Sequence, residues 1–396
     1  MRMTQLKTIA DIQTGPFGSQ LHKEDYVETG TPIVTVEHLG NRVFTEQNLP
    51  RVSDSDKARL IKYTLSTGDI VFSRVGSVDR CSYVDKSHDG WMFSGRCLRV
   101  RPTEPVDSLY LYYYFCLEET KQFVRNIAVG ATMPSINTKL LGEVEIALPD
   151  LNNQKRIAAV LSSLDDKIEN NQKLNDNLYA QAKATTKQWI SKSTGDYELL
   201  PLSDIASINP DTYSPKETWK YVNYLDTSSI TEGCIAEIQH ITPSSEKLPS
   251  RARRKIAPND IVFSTVRPNQ RHYGIISEPL PNMLGSTGFA VIRSKNPLVC
   301  NELIYLCLTE NEFIEKMQQL AEQSTSTFPS IKPSDLGVCE IPCPKDQSST
   351  SFTETLKSLF ALIAANQREN ISLSEIRDAL LPKLMSGEID VSDIQL

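Results

Sequence analysis

The sequence has no long hydrophobic run and few histidines. No window approaches the roughly 18 to 20 apolar residues that a membrane-spanning helix needs. The segment from Met1 to Lys7 lacks the apolar stretch of a secretory signal. There are only five histidines, and none stands at the spacing of metal ligands. These absences predict a soluble, cytoplasmic protein, and its 396 residues are enough for two or three domains.

Motifs of nucleotide-dependent and methyl-transferring enzymes are also missing. The sequence has no Gly-x-x-x-x-Gly-Lys-Ser/Thr loop, no glycine-rich dinucleotide turn and no Asn/Asp-Pro-Pro-aromatic stretch. The eight cysteines are scattered, and the closest pair, Cys339 and Cys343, has no second pair or histidine cluster to complete a zinc site. We therefore expect buried free thiols, no catalytic residue, no metal and no cofactor bound by this chain.

The sequence consists of two copies of one unit. The stretch Asp-Ile-Val-Phe-Ser at 69–73 recurs unchanged at 260–264, which is 191 residues later. The stretch Pro-Ser-Ile at 134–136 recurs at 329–331, which is 195 residues later. The matching segments keep their order, and the offset drifts by only a few residues. A repeat of this length excludes a solenoid, whose units are several-fold shorter.

Each copy ends in a segment that predicts one long helix. The segment from Leu151 to Thr194 contains no glycine or proline and is rich in Leu, Ala, Lys, Asn and Gln. In both segments, apolar residues and asparagines recur in alternating steps of three and four, which is typical of a coiled-coil seam. The predicted seam residues are Leu161, Leu164, Ile168, Asn171, Asn175 and Leu178 in the first copy and Leu356, Leu359, Ile363, Asn366, Asn370 and Leu373 in the second.

The asparagines favour pairing of the two helices over the alternative, in which each helix packs only on its own domain. An asparagine within a seam lowers stability but fixes the register when it has a hydrogen-bonding partner. In an antiparallel pair the central asparagines would face each other. We therefore predict an α+β fold, with two pseudo-repeated globular α/β domains joined and separated by two long antiparallel coiled-coil helices. The predicted boundaries are 1–150 and 195–346 for the globular domains and 151–194 and 347–390 for the helices.

Basic residues gather around the repeated strand in both copies, although 42 Lys and Arg stand against 49 Asp and Glu in the whole chain. Residues 245–275 contain seven basic and two acidic residues, and residues 70–101 contain six basic and three acidic residues. Arginine clusters suit contacts with phosphates and with guanine edges. We predict nucleic-acid contacts by Arg74, Arg80, Arg267, Arg271, Ser73, Ser264, Arg251, Arg253 and Arg254.

Other functions have weaker support. Asp107, Glu119 and Lys121 form a loose nuclease-like trio that could hold Mg²⁺. The second copy lacks this trio, and Asp107 stands where a helix N-cap belongs, so capping is the favoured interpretation. The tyrosine-rich run at 110–115 could stack on bases, but its helical spacing favours a place in the core. A DNA-bridging regulator that acts without enzymatic partners is a further possibility.

The combination of features resembles the specificity subunit of type I restriction–modification systems. The resemblance rests on the duplicated layout, the Gly-Pro-Phe-Gly-Ser turn at 15–19, the two Asp-Ile-Val-Phe-Ser strands, Ala-Thr-Met-Pro-Ser-Ile-Asn at 131–137, and Leu-Leu-Pro-Lys-Leu-Met-Ser-Gly-Glu-Ile at 380–389. It implies two target-recognition domains, each recognising one half of a split DNA sequence. The helices would set the length of the unspecified spacer.

The resemblance also implies partners and cofactors. The partners would be double-stranded DNA, two adenine-N6 methyltransferase subunits docked on the helices, and motor-nuclease restriction subunits. S-adenosylmethionine, Mg²⁺ and ATP would bind to those subunits. This chain would then be a non-catalytic subunit of a DNA methyltransferase and ATP-dependent endonuclease that defends against phage.

Overall fold

The computed structural model describes residues 2–16, 18, 20–103, 105–192, 195–214, 216–324 and 328–394. The chain divides into two compact units. The first comprises Met1–Asn170 with Glu369–Leu396, and the second comprises Asn171–Arg368. Each unit therefore contains one globular region together with part of each of the two long helices.

The globular region of the first unit is built from short strands and short helices. Its strands are β1 (Arg2–Gln5), β2 (Ala10–Thr14), β3 (Tyr26–Val27), β4 (Thr31–Val34), β5 (Arg51–Val52), β6 (Ile70–Ser73), β7 (Cys81–Tyr83), β8 (Met92–Phe93), β9 (Cys97–Pro102) and β10 (Glu145–Leu148). Its helices are α1 (Asp54–Arg59), α2 (Ser108–Cys116), α3 (Glu118–Ile127) and α4 (Thr138–Leu141). One antiparallel sheet has the order β2-β9-β6-β7, a second sheet has the order β3-β5-β4-β8, and β1 pairs with β10.

The long helices are α5 (Leu151–Lys192) and α10 (Thr350–Ser386), and the second globular region lies between them in the chain. Its strands are β11 (Tyr197–Pro201), β12 (Ala206–Ile208), β13 (Val222–Leu225), β14 (Ile230–Thr231), β15 (Cys234–Ile235), β16 (Gln239–Ile241), β17 (Ala252–Lys255), β18 (Asp260–Ser264), β19 (Tyr273–Ile276), β20 (Met283–Ser286), β21 (Phe289–Ser294) and β22 (Glu340–Pro344). Its helices are α6 (Leu202–Ile205), α7 (Asn301–Leu308), α8 (Asn311–Glu322) and α9 (Pro333–Gly337).

The two globular regions share the sheet that contains the repeated strand and the pair of strands next to the long helices. The order β12-β21-β18-β19 in the second unit corresponds to β2-β9-β6-β7 in the first, and the pair β11-β22 corresponds to β1-β10. Each region also has one parallel pair within its other sheet, β4 with β8 and β13 with β20. The sequence repeat is therefore a repeat of structure, as predicted.

The repeated strand is buried on both of its faces. In β6, Ile70 and Phe72 belong to one hydrophobic cluster and Val71 belongs to another. The same alternation holds in β18. Successive side chains of a strand point to opposite faces, so a strand between two cores needs an unbroken apolar run. This requirement explains why the Ile-Val-Phe sequence is identical in the two copies.

A buried carboxylate precedes the apolar run in each copy. Arg101 donates from Nε and Nη2 to the two oxygens of Asp69, both at 2.7 Å. Arg293 contacts Asp260 with the same fork geometry, at 2.7 and 2.8 Å. Asp69 is 1% exposed and Asp260 is fully buried. A buried carboxylate is tolerated only when it is paired and hydrogen-bonded, and the bidentate guanidinium meets that condition.

The tyrosine-rich run forms helix α2 and lies in the core, as predicted. Tyr110 and Phe115 are buried, and the Phe115 ring meets Phe72 edge-on with centroids 4.7 Å apart. The Asp107 carboxylate caps the helix by accepting from the backbone N–H of Tyr110 at 2.9 Å. Asp107 is therefore an N-cap, as the favoured interpretation of the trio predicted.

The cysteines of the described residues are free, but they are not uniformly buried. Cys97 and Cys300 are buried, whereas Cys234 is exposed on β15. Burial raises the pKa of the Cys97 thiol and of the Cys300 thiol to about 12. None of the helices in the described ranges combines the length and the hydrophobicity that a bilayer crossing requires.

The buried carboxylate makes a stability prediction for the second unit. Replacing Asp260 with Ala should lower the free energy of unfolding by about 3 kcal/mol, because Arg293 loses its bidentate partner next to the core. The measurement is urea unfolding of the full chain, followed by the fluorescence of Trp189 and Trp219, which both lie in the second unit.

All variants carry Trp91→Phe, which removes the tryptophan of the first unit, so the fluorescence reports only on the second unit. The control is Asp176→Ala, which removes an exposed carboxylate from α5 and should change the free energy of unfolding by less than about 0.5 kcal/mol. If the two variants lowered the free energy of unfolding by similar amounts, the buried pair would not stabilise the unit more than an exposed carboxylate does.

Candidate functional site

The repeated strands β6 and β18 end in matching turns, which we call the strand-exit turns (residues 73–76 and 264–267). Ser73 and Ser264 are buried, and each hydroxyl donates to the carbonyl oxygen two residues later, on Val75 and Val266, at 2.8 Å. Contact of these serines with nucleic acid stays a prediction. Their hydroxyls are buried in the turn and used to hold its backbone.

A second repeated segment packs beside each strand-exit turn. The backbone N–H of Gly76 donates to the carbonyl oxygen of Pro134 at 2.8 Å, and the N–H of Arg267 donates to that of Pro329 at 2.9 Å. Bridges between Val75 and Ser135 and between Val266 and Ser330 occupy the same place in the two copies. The repeated Pro-Ser-Ile segments are therefore the backbone support of these turns.

The two predicted arginines near the first strand-exit turn lie in different environments. Arg74 is half-buried and donates to the Gly95 carbonyl oxygen at 2.9 Å. Arg80 is exposed, and its guanidinium lies close over Gly40, where an added Cβ would stand 2.7 Å from Nε. Of the two, Arg80 has the more accessible charge.

The two predicted arginines near the second strand-exit turn also differ. Arg267 is exposed, and its guanidinium carbon lies 5.2 Å from the centre of the Phe328 ring. Arg271 is half-buried and donates to Glu232 at 3.1 Å and to Asn311 at 2.9 Å. The structure thus uses Arg271 to tie the β14–β15 hairpin to the domain, and its charge is balanced by Glu232. Contact of Arg271 with nucleic acid stays a prediction, and in the structure its guanidinium is engaged by Glu232 and Asn311.

The remaining predicted arginines lie at β17, an edge strand of the sheet β16-β13-β20-β17. Arg251 is exposed, and Arg253 is half-buried with its Nε donating to the Ser250 carbonyl oxygen at 3.2 Å. Arg254 is half-buried, and burial lowers the pKa of its guanidinium. Its Nε has no hydrogen-bond partner among the described residues. Three arginines therefore stand at one sheet edge with different exposure.

Several basic residues near the repeated strands are paired with acidic side chains, so their charge is not free to bind a ligand. Arg99 donates to Asp11 at 2.6 Å, and Arg101 is held by Asp69. Lys255 donates to Glu217 at 2.7 Å. One signal in the sequence could have revealed the Asp–Arg pairs, because an arginine follows the repeated aspartate by a similar distance in both copies.

The glycine-rich turn at 15–19 is described only in part, since Phe17 and Ser19 lie outside the described residues. A Cβ at Gly15 would overlap the carbonyl oxygen of Ser94. Glycine is therefore required at position 15 for the close approach of two backbone segments.

The predicted seam residues of α5 and α10 are all buried or half-buried. In the second unit, Asn366 donates from Nδ2 to Oδ1 of Asn175 at 2.8 Å. Contacts between the helices join Asn175 to Asn366, Tyr179 to Phe360 and Trp189 to Phe352. The partner numbers fall as the α5 numbers rise, so the two helices run antiparallel within this unit.

In the first unit, a polar cluster joins α5 to α10. Arg377 donates to one oxygen of Asp165 at 2.7 Å, and the hydroxyl of Tyr113 donates to the other at 2.6 Å. Burial, followed by the nearby charge of Asp165, raises the pKa of the Tyr113 hydroxyl. Lys167 and Glu369 form an exposed ion pair at 3.2 Å. The helices are antiparallel here as well, but a buried ion pair replaces the aromatic contacts of the second unit.

Large apolar side chains are exposed on the outer surface of the long helices. Leu174 and Leu362 are about half exposed in the second unit, as are Ile371 and Ile376 in the first. Single exposed apolar residues are common on proteins, and these four lie on two helices that already bury a seam.

The chain is similar to known proteins over most of its length. Residues 1–180 match the family model described as "Type I restriction modification DNA specificity domain". The MjaIX specificity subunit of Methanocaldococcus jannaschii is 27% identical over 74% of this chain and 72% of its own length. The HindI specificity subunit of Haemophilus influenzae is 22% identical over 83% of this chain and 88% of its own length. The crystal structure of a type I restriction–modification S subunit from M. genitalium matches with a TM-score of 0.58 at 18% identity, over 97% of this chain and 95% of that one.

The asparagine pair makes a prediction that a double-mutant cycle can test. Asn175→Leu alone should lower the free energy of unfolding by about 1 kcal/mol or more, because the Asn366 amide loses its acceptor within the seam. Adding Asn366→Leu should return the free energy of unfolding to the wild-type value or raise it above that value, since two leucines pack without an unpaired polar group. The measurement is urea unfolding of the four proteins of the cycle.

Asn177→Leu is the matched control, because Asn177 is exposed on the same helix. It should have little effect alone and no coupling with Asn366→Leu. A cycle in which Asn175→Leu and Asn366→Leu are simply additive would show that the two amides do not stabilise each other.

Proposed function

We propose that the chain is a specificity subunit of a type I restriction–modification system, as its relatives are, and that its two units bind the two halves of one split DNA sequence. The chain selects the sequence, and the catalytic activities reside in its partner subunits. The observation that carries this proposal is the duplicated globular region. Both copies have the same four-stranded sheet around the repeated strand and the same supported strand-exit turn, while the exposed arginines around that turn differ.

Identical frameworks with different exposed residues are what two recognition domains for different half-sites require. The exposed Arg80 of the first unit and the exposed Arg267 and Arg251 of the second supply positive charge for the DNA backbone or for base edges. Arg74, Arg253 and Arg254 are half-buried and would contact DNA only with part of the guanidinium. We assign supporting roles to the buried Ser73 and Ser264 and to the paired Arg271.

The segments 1–150 and 195–346 are, in this proposal, the two recognition domains, and 151–194 and 347–390 are the helices between them. The antiparallel seam gives the helices a fixed length, so they set the number of base pairs between the half-sites. One turn of DNA is roughly 34 Å, which is the separation at which two domains meet the same face of the duplex.

The partners in this proposal are double-stranded DNA, two adenine-N6 methyltransferase subunits and the motor-nuclease restriction subunits. The exposed apolar residues of the long helices within each unit are the proposed contacts of the methyltransferase subunits, because large apolar side chains are enriched at the centre of stable protein interfaces. S-adenosylmethionine, Mg²⁺ and ATP are assigned to those partners. The complex would act in the cytoplasm, where the host DNA is methylated and foreign DNA is cut.

The second candidate function is a DNA-bridging regulator that needs no methyltransferase. It shares the two DNA-binding units and differs only in its partners. The exposed apolar residues of the long helices favour the specificity subunit, since a regulator that works alone would have no use for them.

The proposed function predicts a new methylation pattern. The chain should be expressed with the methyltransferase subunit of its own system, in a host that lacks adenine methylation, and the DNA should be mapped by long-read sequencing. We expect adenine methylation at one split motif with a fixed spacer, and only when both subunits are present. Sequence-specific DNA binding by the chain without any methylation would favour the regulator.

The helices predict a change in spacer length. Deleting 169–175 from α5 and 366–372 from α10 keeps the alternating steps of three and four in both seams. The two deletions also remove all four seam asparagines. Seven residues correspond to roughly 10 Å of helix, so the preferred spacer should shorten by at most about three base pairs. Both half-sites should stay the same, as read from methylated motifs.

Deletion of 169–175 alone is the control, because it leaves the two helices unequal in length and should abolish methylation. A double deletion that changes either half-site would contradict the idea that the helices set only the spacer.

A further inference from the structure

The two strand-exit turns differ at one residue whose backbone conformation is unusual. Gly76 has a φ of +76°, and Arg267, at the equivalent position of the second unit, has a φ of +47°. Both residues donate their backbone N–H to the proline carbonyl of the supporting segment. The turn therefore requires a left-handed residue, which glycine adopts readily and arginine rarely does.

An arginine held in a rare conformation indicates that its side chain serves a purpose at that place. The backbone of Arg267 is pinned by its bond to Pro329 and by the adjacent bridge between Val266 and Ser330. The aromatic ring of Phe328 lies 5.2 Å from the guanidinium carbon. The Phe328 ring is 54% exposed, so the pair stands at the surface of the unit.

The contact with Phe328 leaves the hydrogen-bonding capacity of Arg267 available. A cation–π contact attracts the positive charge to the face of the ring and leaves the N–H donors of the guanidinium for other partners. A guanidinium fixed in this way loses little conformational freedom when it binds, and its fork matches the O6 and N7 acceptors of guanine in the major groove.

We propose that Arg267, positioned by Phe328, recognises a guanine in the half-site bound by the second unit. The proposal rests on the proposed function, that is, on recognition of one half-site by each unit. The first unit has Gly76 at this position and Met133 where the second has Phe328. Recognition of a guanine from this turn is therefore a property of the second half-site alone.

The test uses the chain in complex with its methyltransferase subunits and duplexes that carry the methylated motif. Each base pair of both half-sites is replaced in turn, and each guanine of the second half-site is also replaced by 7-deazaguanine, which lacks the N7 acceptor. The wild-type complex should lose about tenfold or more in affinity at one guanine of the second half-site.

Arg267→Gly should remove the sensitivity to that guanine and to its 7-deaza form, while discrimination in the first half-site stays unchanged. The variant places in the second turn the residue that the first turn already has, so it relieves the left-handed arginine and should fold. Phe328→Ala should weaken discrimination at the same guanine, and Phe328→Tyr should retain it, because tyrosine keeps the ring. Lys316→Ala, which removes an exposed positive charge from α8, is the control for net charge.

Three other outcomes would overturn the inference in different ways. If Arg267→Gly lowers the affinity for every sequence equally, the residue contacts phosphate and does not specify a base. If it retains full discrimination, Arg267 does not face the DNA. If the wild-type complex shows no sequence preference in the second half-site, the proposed function itself fails, and the failure is then visible before any variant is made.

Discussion

The fork between a buried aspartate and an arginine on the neighbouring strand is the interaction on which each globular region depends. Asp69 and Asp260 begin a strand that is buried on both faces, and Arg101 and Arg293 hold those carboxylates from β9 and β21. A strand between two cores cannot slip by one residue without moving every side chain to the wrong core. The ion pair and the apolar run together fix where the strand ends, and the strand-exit turn follows from that.

Repetition in this sequence marks the residues that build the framework. The aspartate, the apolar run, the serine and the Pro-Ser-Ile segment recur because each satisfies a backbone or a buried group that both copies share. The serines illustrate the point, since both hydroxyls are buried and used within the turn. Residues that specify different half-sites must differ between the copies, and Gly76 and Arg267 differ at a position where the backbone is the same.

Local sequence patterns were sufficient to predict the duplication, the two long helices, the core position of the tyrosine-rich helix and the cap at Asp107. The steps of three and four along the helices also pointed to the facing asparagines, of which Asn175 and Asn366 are hydrogen-bonded. Which arginines keep a free charge could not be predicted, because a charge such as that of Arg101 is balanced by a residue on another strand. The left-handed conformation of Arg267 was likewise hidden, since it arises from the supporting segment 62 residues later.

The seam departs from perfect repetition where each helix end meets a globular core. In the first unit, Arg377 pairs with Asp165, which also accepts a hydrogen bond from the Tyr113 hydroxyl. In the second unit the equivalent seam position is the buried Ala182, within a cluster that contains Phe360. A single coiled-coil pattern cannot satisfy a polar pocket and an apolar one, so the sequences of the helix ends follow the domain that each contacts. The six seam positions from Leu161 to Leu178 are identical to those from Leu356 to Leu373, because an apolar or paired asparagine side chain suits both units there.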